Sequence, residues 1–161
     1  MDQKVADPIY STTIEWTGNK GTGTSGYREY GRDYIVRISG KPFIEGSSDP
    51  AFRGDPARHN PEDLLLTAVS SCHMLWFLHL AADNGIIVTS YTDHATGVLH
   101  LESDGSGRFI SIDLNPEVAV LEESMVDRCA ELHQQANRYC FIANSLNIPV
   151  SHNGRTYVRT K

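Results

Sequence analysis

The stretch that decides the fold is Asn60-Pro-Glu-Asp-Leu-Leu-Leu-Thr-Ala-Val-Ser-Ser-Cys-His-Met-Leu-Trp-Phe-Leu-His-Leu-Ala-Ala-Asp-Asn-Gly85. It opens with helix-start chemistry. Asn60 can cap, Pro61 suits the first helical position because it has no amide hydrogen to leave unpaired, and Glu62 and Asp63 complement the positive end of the helix dipole. Asn84-Gly85 stops it, since glycine accepts the left-handed backbone on which helices end. The pattern predicts a helix from Pro61 to about Asp83. Between Leu64 and Ala82 there is no Asp, Glu, Lys or Arg, a run that reaches the length needed to cross a bilayer. Thr67, Ser70, Ser71, Cys72, His73 and His79 interrupt it, and neither an aromatic belt nor a strongly basic flank borders it. We therefore read it as the central helix of a core or of a dimer and reject a membrane span.

Upstream, Tyr10–Trp16 is β-branched and aromatic, and Asp33–Ser39 alternates, so both read as strands. Between them Gly21-Thr-Gly-Thr-Ser-Gly26 matches no phosphate-loop or dinucleotide pattern and reads as a turn. A long irregular stretch, Gly46 to His59, carries Pro50, Gly54 and Pro56; loops of that length are usually functional or cover something. Downstream, Ile86–Tyr91 is strand-like and a hairpin joins His94–Glu102 to Arg108–Leu114 across Asp104-Gly-Ser-Gly107. A second helix is expected over about Met125–Arg138, a shorter one over Phe141–Leu146, and a closing strand over Thr156–Thr160. The order β-β-(β)-α-β-β-α-β predicts one α+β domain over residues 1–161, with a mostly antiparallel sheet around a long buried central helix.

Composition narrows the function. A chain of 161 residues, 40% hydrophobic and 21% charged, is globular and has room for little beyond one domain. The net charge of −6 offers phosphates no basic stripe, so neither nucleic acid nor a membrane is expected as a partner. Met1-Asp-Gln-Lys-Val-Ala-Asp-Pro8 lacks a basic start followed by an apolar run, which predicts a cytoplasmic location. Three cysteines, Cys72, Cys129 and Cys140, are too few for a disulfide-stapled secreted domain.

Cys72 lies mid-helix on a stripe with Leu65, Ala68, Leu75, Trp76 and His79. It is either a small core hydrophobe or a reactive thiol in the polar company of Ser70, Ser71 and His73. Cys140 precedes Phe141-Ile-Ala-Asn144; a helical turn starting there would face its amides to the sulfur and depress its pKa. Cys129, spaced with Val126, Leu132 and Ala136, reads as a packed core thiol.

Taken in order, Asn60-Pro-Glu-Asp-Leu-Leu, Ser71-Cys72-His73 and Tyr139-Cys140-Phe-Ile-Ala-Asn144 resemble the OsmC/Ohr family of osmotically induced and organic-hydroperoxide-resistance proteins. The resemblance spans the chain. It implies an intertwined homodimer with active sites at the interface and a catalytic set of two cysteines, a glutamate and an arginine. By motif these are Cys72 as the reactive cysteine, Cys140 as the resolving cysteine and Glu62 as the glutamate. For the arginine, Arg53 is the first choice and Arg28 the second, with Arg58 behind both. The residue after Cys140 is Phe141, where the family usually has proline.

The implied activity is a thiol-dependent peroxidase that reduces organic hydroperoxides without cofactor or metal. A thiolate attacks peroxide, and burial on an apolar helix opposes ionisation, so a guanidinium should reach Cys72. Glu62 should hold that arginine in a two-point pair. In one straight helix Glu62 and Cys72 stand about 15 Å apart, so the arginine bridges them, the helix bends or a partner chain contributes. Cys140 would condense with the Cys72 sulfenic acid to a disulfide, which an external dithiol, lipoyl-type by resemblance, would reduce. An apolar lining of Leu75, Trp76, Phe77, Phe141 and Ile142 would suit alkyl or lipid hydroperoxides. The competing readings are a metal site of Cys72, His73, His79, His133 and Cys140, a cysteine hydrolase with His73 or His79 as base, and a non-catalytic stress-related dimer binding a small apolar ligand.

Overall fold

In the computed structural model, which describes residues 6–159, the expected capping chemistry at Asn60 is formed. The Asp63 amide donates to Asn60 Oδ1 at 2.7 Å, and the Asn60 amide donates back to the Asp63 carboxylate at 3.3 Å. This reciprocal pair satisfies two amides that the first helical turn cannot. The helix, α1, runs over Pro61–Asp83. It ends where Gly85 takes a φ of 70° and the Ile86 amide reaches back to the Ala81 carbonyl at 2.8 Å, the left-handed exit that glycine permits without strain.

The chain divides into two compact units, one up to Leu64 and one from Leu65 onward. The first is built on strands β1 (Thr13–Trp16), β2 (Tyr34–Arg37) and β3 (Ile44–Gly46), antiparallel in that order. The glycine-rich stretch is the turn the sequence predicts: Asn19 Oδ1 accepts from the amides of Gly21 and Gly23 at 2.9 and 3.0 Å. The Arg32 guanidinium packs over the rings of Tyr27 and Tyr30, 4.5 and 4.0 Å from their centroids, and closes that loop.

In the second unit α1 is followed by β4 (Val88–Asp93), β5 (Thr96–Leu101), β6 (Gly107–Leu114), β7 (Pro116–Val120), α2 (Val126–Tyr139), α3 (Phe141–Asn144), β8 (Val150–His152) and β9 (Arg155–Val158). Two three-stranded sheets form, β4-β7-β9 and β5-β6-β8. In each, an antiparallel pair takes a late strand in parallel on its far edge. The break between the sheets falls at Asn115-Pro116. The Asn115 amide donates to Asp93 at 2.7 Å and its side chain to the His94 carbonyl at 3.1 Å, while Pro116 brings no amide to continue the β6 ladder. β3 takes the place of the bracketed third strand before the helix, whereas β7 and β8 have no counterpart in the expected order. The first five residues, read for the absence of a leader, and Thr160 of the expected last strand lie outside the described residues.

The architecture is the expected mixed one, with four of the six strand pairings among the described residues antiparallel. Val69, His73, Phe77 and Ala81 form the fully buried stripe of α1, each four residues from the next. Phe77 and Ala81 pack with Val118, Val120, Cys129, Leu132 and Ala136; Val69 packs with Ile112 and Leu114. His73 is the polar member of the stripe. Its Nε2 lies 3.0 Å from Nδ1 of His133 on α2, and both rings stack with His152. Burial holds His73 down at about 4, with His152 adding to it, and holds His133 down at about 3, with His73 and His152 adding to it.

Both imidazoles are neutral in the folded protein at pH values where an unfolded chain, with histidine near 6.5, already takes up protons. Their stabilisation is complete above about pH 6.5 and drains away as pH falls toward 4. Each contributes a slope of up to about 1.4 kcal/mol per pH unit. Melting temperature should therefore decline between pH 6.5 and 5, above the carboxylate range, and His133→Gln should flatten that decline, as measured by thermal unfolding across pH.

Candidate active site

Cys72 is one residue from His73 and therefore about 100° around the helix from the buried stripe. It is half-buried and opens on a cavity of about 380 Å³ lined by Ala68, Ser71, Leu75, Trp76, Phe141 and Ile142. Trp76 forms the aromatic wall. It stacks on Tyr139 with centroids 5.2 Å apart and meets Phe141 edge-on at 5.4 Å. Phe77, expected in this lining, is not there. The helical phase that aims Cys72 outward turns Phe77 into the core, where it stacks on His133 at 4.1 Å. Tyr139 was missed; its position directly before Cys140 was the signal available.

Cys140 sits at the junction of α2 and α3 and is 1% exposed. Its amide closes α2 by donating to the Ala136 carbonyl at 2.9 Å, its backbone then turns extended, and its sulfur accepts the Ala143 amide at 3.4 Å to start α3. The helix start expected at Cys140 thus forms with Phe141 in place of proline. The expected depression of the thiol does not follow. Burial pushes Cys140 up to about 11 against the pull of the Ala143 amide, and the neighbouring Cys72 raises it further. Cys72 is thus a neighbour of Cys140, and both are free thiols.

The remaining sulfur and the histidines are engaged elsewhere. Cys129 is buried on α2 with its thiol donating to the Met125 carbonyl at 3.4 Å, the packed position read from its spacing. His73 faces His133, and His79 pairs with Asp83 at 3.4 Å, so neither is placed as a base on Cys72. Among the described residues no three His, Cys, Asp or Glu side chains converge as a metal would need.

The candidate arginines and Glu62 belong to the first unit. Arg53 ends the 3₁₀ turn Pro50–Phe52 with a φ of 69°, the one non-glycine residue with positive φ among those described. The turn is held by Asp49, whose carboxylate accepts the Ala51 amide at 2.7 Å, and by Gly54, where a Cβ would collide with the Ser48 carbonyl. A left-handed arginine persists only where its surroundings over-determine it. Arg58 is committed to Asp33, Glu45 and Asp55 at 4.0, 3.4 and 3.5 Å. Arg28 is exposed. Glu62 lies near Tyr34, whose phenol is raised by burial and then by Glu62 and Asp63. The expected Glu62–arginine pair is not formed: among the described residues of this unit, no arginine lies within 4 Å of Glu62. At that end of α1 the carboxylate of Asp63 is the one bonded, to the Asn60 amide, and the guanidinium of Arg58 is taken by other acids.

Fold and site together define an α+β protein that carries two neighbouring thiols, one at an apolar cavity and one buried. The chain belongs to the OsmC-like protein family, which matches residues 54–153. An OsmC-like protein of unknown function from Vibrio cholerae is 29% identical with a TM-score of 0.82, over 92% of this chain and all of that one. An organic hydroperoxide resistance protein from Elizabethkingia anophelis shares the fold at 17% identity and a TM-score of 0.68, over 93% of this chain and 99% of that one. The organic hydroperoxide resistance protein OhrB of Bacillus subtilis does so at 17% and 0.62, over 91% and 98%. No curated protein sequence matches it.

Because a disulfide needs its two Cα atoms within about 7 Å, mild oxidation of the reduced protein reports the geometry directly. With diamide, intact mass should fall by two hydrogens, and peptide mapping should join Cys72 to Cys140 and leave Cys129 free. A Cys129 bridge would contradict the described arrangement.

Proposed function

We propose that the protein is a thiol-dependent peroxidase that reduces organic hydroperoxides to alcohols. The observation that supports this reading is a half-buried thiol at an apolar cavity, Cys72, neighboured by a fully buried thiol, Cys140. The pair divides the labour. Cys140, pushed up to about 11, stays protonated at neutral pH and does not compete for peroxide. Cys72 meets the substrate.

The Cys72 thiolate attacks the terminal oxygen of the hydroperoxide. The O–O bond breaks, a sulfur–oxygen bond forms, and the alkoxide leaves as alcohol after taking a proton. Cys72 is then a sulfenic acid. The Cys140 sulfur displaces its hydroxyl, a disulfide forms and water leaves. An external dithiol, lipoyl-type by family resemblance, reduces the disulfide by exchange and is itself oxidised.

A cation beside Cys72 would favour the thiolate and hydrogen-bond the departing oxygen. We assign this to Arg53 first, because its left-handed backbone is a strain typical of functional positions, and to Arg28 second. In the working enzyme Glu62 would hold the chosen arginine, and a homodimer would let either subunit supply it. Three free thiols suit a reducing compartment such as the cytoplasm.

The test is cumene hydroperoxide added to reduced protein, followed by thiol loss and intact mass. Two thiols should disappear with formation of an internal bridge. Cys72→Ser should lower peroxide consumption at least about a hundredfold, because the nucleophile is gone. Cys140→Ser should still consume the first equivalent and then accumulate sulfinic acid at Cys72. Full consumption by Cys72→Ser would overturn the reading. Slow oxidation without cysteine selectivity would leave a dimer that binds an apolar ligand.

A further inference from the structure

The two neighbouring thiols sit on different helices, Cys72 within α1 and Cys140 at the end of α2. Whether they can bond depends on how the helices are held, lengthwise and in rotation. A disulfide tolerates little error, since its Cα atoms must approach within about 7 Å with their Cβ atoms facing. A slip of one residue moves a helix by about 1.5 Å and turns the presented side chain by about 100°. The apolar contact between the helices joins Phe77 and Ala81 to Cys129, Leu132 and Ala136. Such burial is non-directional and selects a register only weakly.

The directional contact is the imidazole pair. His73 follows Cys72 directly, and His133 precedes Cys140 by seven residues, two turns of α2, so each ring shares a helix with one thiol. His73 Nε2 and His133 Nδ1 lie 3.0 Å apart, the one hydrogen bond between the two helices among the described residues. With both rings neutral, one donates and the other accepts. The second nitrogen of each ring, His73 Nδ1 and His133 Nε2, is buried with no partner among the described residues. Each imidazole therefore has this bond alone to offset its burial, and a slip that broke it would leave both unsatisfied. The rings are also confined sideways. His133 stacks on Phe77, and a Cβ on Gly154 would stand 2.8 Å from His133 Nε2.

We infer that His133 is a positioning residue for a disulfide between Cys72 and Cys140: through His73 it holds α2 in the register on α1 that sets one sulfur against the other. Closure of that disulfide as a step of turnover rests on the peroxidase reading; the placement of the two sulfurs does not.

Two variants separate the ring from its bond. His133→Phe keeps a ring against Phe77 and removes the bond, with His133→Leu standing in should the first not fold. His133→Asn gives up the ring and returns an amide atom to the place of Nδ1. Each reduced protein is treated with diamide, disulfide formation is followed by intact mass, and Cys72 alkylation by iodoacetamide is timed beside it. His133→Phe should close the disulfide at least about tenfold more slowly, with alkylation within about twofold of the parent protein. His133→Asn should recover most of the lost rate. Leu132→Ala, a buried truncation on the same helix, should destabilise the protein yet leave closure within about twofold. Closure at the parent rate in His133→Phe, equal slowing in Leu132→Ala, or no Cys72–Cys140 bridge in the parent protein overturns the assignment. In a second arm, excess cumene hydroperoxide should drive at least about fivefold more Cys72 to sulfinic acid in His133→Phe, because attack proceeds while resolution lags. Slow diamide closure in that variant, with no oxidation of Cys72 by hydroperoxide in any of the proteins, supports the positioning role and overturns the peroxidase reading.

Discussion

The structure depends on a single angular step. Successive residues of a helix diverge by about 100°, so burying Val69, His73, Phe77 and Ala81 forces the Cys72 stripe away from the core of its own unit. The helix is apolar on nearly every side, which would let it roll. What fixes its rotation is polar: His73 has its Nε2 3.0 Å from His133, and rolling the helix would strand both imidazoles. Ser70 adds a second tie by donating to the Asp93 carboxylate. The buried histidine pair thus does positional work for a cysteine it does not touch.

The second sulfur shows how competing electrostatic effects resolve. A single amide at 3.4 Å from a sulfur is a weak donor, and α3 is only four residues long, so little dipole stands behind it. Near-complete burial removes the solvation of a thiolate altogether, and the neighbouring Cys72 adds to the cost. Burial wins, which is why the helix-start reading of Cys140 had the geometry right and the ionisation wrong. The outcome separates two chemically identical groups, one half-buried at a cavity and one buried and held protonated.

What the sequence disclosed follows the strength of local signals. Both ends of α1 were legible because Asn60, Pro61, Asp63 and Gly85 act within one turn of the helix. β7 was not, because Pro116 opens it and proline reads as a turn; only its pairing with β4 and β9 overrides that. β3 and β8 are three residues each, too short for alternation to register. At the site, Cys72, Cys140 and the Trp76 wall were legible, whereas the place of Phe77 depended on a rotation that a uniformly apolar helix does not encode. The Glu62–arginine pair was inferred by resemblance, and the local acids that bind Arg58 were invisible before the loop was folded.

Phe141 occupies a position where proline would do a different job. A proline after the cap fixes the first helical φ and leaves no amide to satisfy. Phenylalanine gives up that pre-organisation, and here the turn is held by the sulfur itself, through the Ala143 amide, and by the Ser145 hydroxyl, which donates to the Phe141 carbonyl at 2.8 Å. In exchange its ring, 67% exposed, reaches Trp76 and extends the wall of the Cys72 cavity. The consequence is a coupling that a proline-started turn lacks. The proposed disulfide would draw the Cys140 sulfur from its cap, and the turn that carries the aromatic wall would then lose one of its fasteners.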